Sequence, residues 1–534
     1  MKLWVLLPLA VSAIVPTYLL KGPGAIRNSH LELLTHKRSI LDDYPYLQVA
    51  NFTQTLDHFN TSDTRTWNQK YFYNPKYTRN NSIIFLMIGG EGPENGKWAA
   101  KPDIQYLKWA DEFGADVFDL EHRFFGDSWP LPNMDTESLR YLTTEQALAD
   151  LASFIKAMNT KYNFTNPRWV TFGGSYPGSM SAWFREKYPE LTVGAVASSA
   201  PLNLKLDFYE YAMVVQDDLT IYSQECADNV RDGWSKIQNF SLTEEGRDSL
   251  NDIFNIQPKF DNSTTKLDIT NFFANLYNAF QGMTQYTYDN QSEQTHYNQT
   301  VQKMCEIMTD KSETDNIKRV RNMYLWTNAM MPISDDVKVM PNNYNDVIAK
   351  IGSGNLTVLG EDGAASRGWM WLCCNEIGFL QTTDQGNNVF GSTVPLNYFI
   401  DMCTDMFGDT VKMDQIRENN AAAQKFYGGI TNYNATNIVL PNGSQDPWHA
   451  LGLYTDNARN NLTTILINGT AHCADMYPTY DKEPSALAAA RDIIKANVRN
   501  FIQYDENRDG PTSLSSETRF FMGVLVIFIV SLIL

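Results

Sequence analysis

The sequence predicts an α/β fold, a parallel sheet with helices on both faces that a long helical block interrupts. Three observations carry this. From about residue 81 to 201, short apolar runs alternate with stretches of helical spacing, as the strands and helices of a doubly covered sheet do. Beyond Pro201 the buried-strand pattern stops, and residues 206–425 show mostly helical periodicity. Strands return at 437, and the domain closes on a long amphipathic stretch.

Each element has its own justification. SIIFLMI (82–88) and ADVFDL (115–120) are apolar runs bounded by glycine or charge, as strands buried on both faces are. EQALADLASFIKAM (145–158) sets its apolar residues at helical spacing. RWVTF (168–172) reads as a strand, SMSAWFREKY (179–188) as a helix and VGAVASSA (193–200) as another buried strand. NIVL (437–440) and LTTILIN (462–468) return to strand, and PSALAAARDIIKANVRNFI (484–502) is the closing helix. The expected organisation is a leader at 1–20, a first core part at 45–205, a helical insertion at 206–425, a second core part at 426–505, and a spacer with an apolar tail at 506–534. A sheet interrupted and then resumed is the layout of a core carrying a cap.

Composition narrows the class. Hydrophobic residues at 43% and aromatics at 13% suffice for a large core, which argues against disorder. A formal charge of −18 and a pI near 4.9 argue against a nucleic-acid partner, whose phosphates require basic patches. MKLWVLLPLAVSAIV places one basic residue before an apolar run too short to span a bilayer, the form of a secretory signal. Glycosylation triplets at Asn51, Asn60, Asn80, Asn163, Asn239, Asn262, Asn290, Asn298, Asn355, Asn434, Asn461 and Asn468 agree with that route, and Asn442 also heads such a triplet. The polar stretch NRDGPTSLSSETR precedes FFMGVLVIFIVSLIL at the end of the chain. That arrangement predicts either a glycolipid-anchor signal or a short membrane tether. The chain is expected to be secreted, lysosomal or at the cell surface.

Six cysteines, Cys226, Cys305, Cys373, Cys374, Cys403 and Cys473, suggest three bridges in an oxidising compartment, with the pairing open. None has zinc-ligand spacing and no H-E-x-x-H occurs, so no metal or other cofactor is expected.

The chemistry centres on TFGGSYPGSM (171–180). A strand runs into Gly173 and a helix follows Ser175, the setting of a strained nucleophile turn. Glycines at 173 and 174 relieve crowding there, and Pro177 fits a first helical turn, where its missing N–H has no partner to lose. Gly178 then supplies the small residue where helix meets strand. A serine nucleophile needs a base, and the base needs an orienting carboxylate. Only His296, His449 and His472 follow Ser175. His296 lies between two glycosylation triplets, and His449 stands three residues from the best acid candidate, Asp446, so it would need another acid. His472 follows LTTILIN, where loops at the strands' C-terminal ends gather. The order Ser175, Asp446, His472 is the one an α/β-hydrolase requires. Oxyanion donors are expected from the Tyr176 N–H and from the glycine run Gly89, Gly90 and Gly92, with Gly90 the choice.

With these residues in place a resemblance emerges. GGSYPG, GGEGP, EHRFFGDS, YLTTEQALADLA, WMWLCCNEIGF, NGSQDPW and NGTAHCADMYP together resemble the serine carboxypeptidase family of prolyl carboxypeptidase, dipeptidyl peptidase II and thymus-specific serine protease. The resemblance spans about residues 45–505 and is strongest to the thymus-specific branch. It implies an α/β-hydrolase core with a helical cap before the acid, and the triad Ser175, Asp446 and His472. It also implies bridges Cys226–Cys305 and Cys374–Cys403, which leaves Cys373 with Cys473. Trp448 and Glu376 are implied as pocket residues, the latter with a structural salt bridge as its alternative. Relatives often carry Gly or Ala at the position of Pro177 and, in prolyl carboxypeptidase, a bulky apolar residue at that of Ser179, which leaves proline preference open.

The resulting expectation is a serine exopeptidase acting on peptides, with a homodimer and attachment through the tail left open. Its rivals are a catalytically silent surface glycoprotein and an esterase.

Overall fold

The computed structural model describes residues 40–287, 300–330 and 338–503. Its centre is an eight-stranded sheet. The strands are β1 (Gln48–Thr55), β2 (Thr66–Asn74), β3 (Ile83–Ile88), β4 (Asp116–Leu120), β5 (Arg168–Gly174), β6 (Gly194–Ser198), β7 (Ile438–Gly443) and β8 (Leu462–Ile467). In space they run β1-β2-β4-β3-β5-β6-β7-β8. β1 pairs antiparallel with β2, and β2 antiparallel with β4, while every later pairing is parallel. β1 and β2 precede the alternating pattern that announced the rest. β1 is largely exposed and has no long apolar run.

The helices α1 (Gln105–Phe113), α2 (Thr144–Lys161) and α3 (Tyr176–Lys187) accompany the first six strands. Between β6 and β7 come α4 (Glu210–Tyr222), α5 (Gln224–Ser241), α6 (Glu244–Phe254), α7 (Lys266–Gln285) and α8 (Val301–Met308). They are followed by α9 (Asn316–Met330), α10 (Tyr344–Ile351), α11 (Leu356–Leu372), α12 (Leu396–Phe407) and α13 (Met413–Tyr427). A two-residue ladder, Ile256–Gln257 with Met340–Pro341, is the strand structure found among the described residues of this block. α14 (Ser485–Gln503) closes the domain.

The period of two along each strand sorts its side chains between two cores. Phe85 and Met87 of β3, with Val117, Val170 and Phe172, pack under α1 and α14. Ile84, Leu86 and Ile88 face the opposite way, onto α2, α3 and the helical block. Strands covered on both sides are buried along their whole length, as β4 and β6 are, with Asp116 and Asp119 of β4 buried among mainly apolar neighbours.

Disulfides Cys226–Cys305 and Cys374–Cys403 both lie inside the block, tying α5 to α8 and the π-turn after α11 to α12. The expected third bridge is absent: Cys373 and Cys473 are free and buried. Cys373 opens the π-turn Cys373–Ile377, beside a Cys374 already committed to Cys403. Cys473 packs in the core part, its Sγ 2.8 Å from where a Cβ on Gly174 would stand.

Asn51, Asn60, Asn80, Asn163, Asn239, Asn262, Asn355, Asn434 and Asn468 are exposed, and Asn461 is half-buried. Asn442 is buried within β7, so its triplet is closed to modification in the folded chain. Asn290, Asn298, His296, the leader and the tail lie outside the described residues. Among the described residues no helix is long and apolar enough to cross a membrane.

Candidate active site

Ser175 stands between the end of β5 and the first residue of α3, at φ 65° and ψ −131°. Non-glycine residues avoid this region, and holding one there costs about 1–3 kcal/mol. The surroundings enforce it. The Ser175 N–H donates to the Ser198 carbonyl at 2.9 Å. A Cβ on Gly173 would lie 2.1 Å from the Pro177 carbonyl oxygen, one on Gly174 2.4 Å from Met476 Sδ, and one on Gly178 2.6 Å from the Ser198 oxygen. Three glycines therefore answer to three separate close approaches. Pro177 sits within the first turn of α3, as its lack of an N–H allows.

Asp446 and His472 sit on the loops after β7 and β8. Asp446 N-caps a short 3₁₀ turn (Pro447–Leu451), where its Oδ1 accepts the Trp448 N–H at 3.0 Å. Its Oδ2 lies 2.6 Å from His472 Nδ1. Both side chains are fully buried or nearly so. The loops are pressed together: a Cβ on Gly443 would stand 2.4 Å from the Ala471 carbonyl oxygen, and the Gln445 N–H donates to Thr470 O at 2.9 Å. Burial works against a charged His472 ring. The Asp446 carboxylate, helped by Cys473, outweighs it and lifts the ring well above the ordinary imidazole range. His472 Nε2 is buried and has no hydrogen-bond partner.

His472 lines a cavity of about 90 Å³ together with Ser175, Gly90, Glu94, Trp98 and Met476. Nucleophile candidate and base candidate thus share one space. Tyr176 opens α3, so its N–H is among the four that no helical carbonyl can reach. Gly90 presses against the turn, where a Cβ would come within 2.5 Å of Pro177 Cγ. Both oxyanion candidates are therefore at the elbow.

The pocket candidates fare differently. Trp448 is buried behind the histidine, its ring 6.5 Å from that of His472 and its Nε1 donating to Gln285 Oε1 at 3.1 Å. It packs on Phe208 and Phe379 and is not among the residues that line the cavity. Glu376 does not line it either. Its carboxylate accepts the Thr144 N–H at 2.9 Å and the Thr144 hydroxyl, which places an acid at the positive end of α2. This is hydrogen bonding and not the salt bridge given as the alternative. Burial pushes Glu376 up to about 7. Ser179 is buried, donating to Pro201 O at 2.9 Å.

Several neighbours escaped the motif reading. The His472 N–H donates to Gln285 O at 3.0 Å, and the Tyr286 ring stands edge-on to the imidazole at 5.9 Å, so the end of α7 reaches the site. His122 Nε2 lies 3.0 Å from the Tyr176 hydroxyl, and burial holds this histidine down at about 4, hence neutral. EHRFFGDS carried His122, but nothing local in it points to Tyr176.

The sheet order, the strained elbow after β5, and the acid and histidine after β7 and β8 define an α/β-hydrolase. A family model, serine carboxypeptidase S28, matches residues 54–494, and the chain belongs to that family. It is a serine-type peptidase. The chain is 64% identical over 529 residues to a Caenorhabditis elegans protein named "Putative serine protease", covering 98% of each chain. It is 30% identical to the thymus-specific serine protease of Mus musculus, over 84% of this chain and 86% of that one. To the lysosomal Pro-X carboxypeptidase of Homo sapiens it is 27% identical, over 89% and 92%. A proline iminopeptidase of Mycobacterium smegmatis superposes with a TM-score of 0.37 at 11% identity, over 85% of this chain and 99% of that chain.

Proposed function

We propose that the chain is a serine exopeptidase working through an acyl-enzyme on Ser175, with His472 as base and Asp446 orienting the ring. The observation that carries this reading is the state of His472: its Nδ1 is bound to Asp446, its Nε2 is buried without a hydrogen-bond partner, and the residue lines the same cavity as Ser175. Ser175 Oγ attacks the scissile carbonyl and passes its proton to Nε2, which returns it to the leaving amine. The Tyr176 and Gly90 N–H groups receive the oxyanion, where charge develops only in the transition state. Water then releases the acyl group by the same route in reverse.

The helical block acts as a cap over this centre: Tyr286, just after α7, lines the cavity with Ser175 and His472, so the block restricts the approach of a continuous chain. That supports exopeptidase action. Proline preference rests on relatives named for it, and the buried Ser179 and Trp448 neither favour nor oppose it. Exposed glycosylation triplets and a lysosomal relative support passage through the secretory route. The test is a panel of short peptides with either terminus free or blocked, read by mass spectrometry. The expected result is stepwise loss from one free end that stops when that end is blocked. Cleavage indifferent to both blocks, or turnover of esters alone, would overturn the reading.

A further inference from the structure

The end of β6 and the residue after it supply no group to the proposed chemistry, yet they are bonded to the turn, strand or loop that leads to each of Ser175, Asp446 and His472. Ser198 and Ser199 are each 1% exposed. The Ser198 carbonyl accepts the N–H of Ser175, the nucleophile candidate, at 2.9 Å. Its hydroxyl donates to Asp475 Oδ2 at 2.5 Å, on the loop that carries His472. The Ser199 N–H donates to the Pro441 carbonyl of β7 at 2.7 Å, on the strand that leads to Asp446. The Ser199 hydroxyl accepts the N–H of Cys473, the residue after His472, at 2.9 Å.

Two adjacent serines therefore touch the nucleophile turn once, the acid strand once and the histidine loop twice. A packing role alone asks for small side chains and would be met by alanine. Here both hydroxyls are spent on one loop, the one whose ring must aim Nε2 at Ser175. Ser199 also holds φ at 45°, in the left-handed region that a non-glycine residue enters at a cost. That conformation accompanies a backbone bonded to β7 and a hydroxyl beneath Cys473, which itself sits at φ 56°. The Asp475 carboxyl is pushed up to about 6 by burial, against the pull of the Ser198 hydroxyl and of Arg491. Arg491 meanwhile donates to the carbonyls of Asp475 and Ala474, so α14 backs the same loop.

We propose that Ser198 and Ser199, with Asp475, are positioning residues that set the alignment of His472 with Ser175. The inference rests on the triad reading above. It assigns these residues no contact with substrate; they act through the histidine loop. A misplacement of the base by about 1 Å costs on the order of 100-fold in rate, so removing one of the two hydroxyl ties is expected to cost about 10- to 100-fold.

The test uses Ser199→Gly and Asp475→Asn in the full chain. Glycine removes the hydroxyl while relieving the positive φ, which offsets part of the cost of leaving the Cys473 N–H without its acceptor, so Ser199→Gly is expected to fold and to melt at most a few degrees lower than the wild type. Asparagine keeps an acceptor for the Ser198 hydroxyl. For Ser199→Gly the account predicts a fall in kcat of about 10- to 100-fold with KM within about twofold, and an equal fall in the rate of fluorophosphonate labelling at Ser175. Asp475→Asn is expected to retain most of the activity, and Asp475→Leu to lose it as Ser199→Gly does. Wild-type labelling and turnover rates in Ser199→Gly would overturn the inference. So would equal losses in Asp475→Asn and Asp475→Leu, since only the acceptor distinguishes them. Failure of the wild type itself to label would instead remove the triad reading beneath it.

Discussion

The two halves of the protein meet the site by different means. In the sheet core, backbone and side chains of successive loops are hydrogen-bonded directly to one another: Ser175 to Ser198, Ser199 to Pro441 and Cys473, Gln445 to Thr470, and Asp446 to His472. The helical block reaches the same place mostly by ring packing and through few hydrogen bonds: Gln285 and Tyr286 touch His472, Gln285 also holds Trp448, Phe208 and Phe379 pack on that indole, and Trp369 stands edge-on to Tyr176. Both disulfides lie within the block, and none ties it to the core among the described residues. The contrast suggests that the core assembles the reacting groups by itself while the block shapes what reaches them.

The contrast can be tested at both ends. Asp446→Asn strikes the core, and kcat/KM should fall about 10⁴-fold. The acid limb of the residual rate should also move toward lower pH. The carboxylate raises the His472 ring, so without it the ring loses its proton at a lower pH. A pH–rate profile of both proteins checks the direction. Gln285→Leu strikes the block's contact and leaves the Trp448 and Tyr211 donors without their shared acceptor. A fall of only about tenfold, on a scale set by one or two hydrogen bonds, is expected from steady-state kinetics. A loss as large as that of Asp446→Asn would erase the distinction between the halves.

Stability should divide in the same way. Cys374→Ser with Cys403→Ser should cost about 2–4 kcal/mol in a denaturant titration while labelling of Ser175 persists under folding conditions. The core carries a smaller effect of opposite pH character. Glu94, Asp119 and Glu121 crowd together near Lys70, and burial raises all three, Asp119 to about 7 from an ordinary 3.8. An acid that holds its proton more tightly when folded favours folding most at low pH. That advantage is lost as pH rises from 3.8 towards about 7. The protein should therefore melt a few degrees higher near pH 5 than near pH 8, and Asp119→Asn should flatten the difference. Calorimetry at the two pH values decides it.

What could be read from the sequence was what neighbouring residues determine. Strands buried on both faces announce themselves as apolar runs, so β3 to β6 were legible, while the exposed, polar-rich β1 was not. The elbow was legible because strand, glycines, serine and helix are contiguous. Asp446 and His472 followed from chain order and from their places at strand ends. Trp448 and Glu376 were assigned to a pocket on resemblance, but their positions depend on distant partners, Gln285 and Thr144. The pairing of Cys373 with Cys473 failed for a related reason: an even count says nothing about where two thiols face. Ser198 and Ser199 sat in view within VGAVASSA, but their role depends on bonds to residues more than 200 positions away.

The account depends most on Ser175 being an activated hydroxyl. Its direct test is to treat the purified protein with a fluorophosphonate, digest it and locate the adduct by mass spectrometry. A single adduct on the peptide containing Ser175, absent in Ser175→Ala and in His472→Ala, is the predicted result. A well-folded protein that takes up no label, or takes it at another serine, would contradict the account.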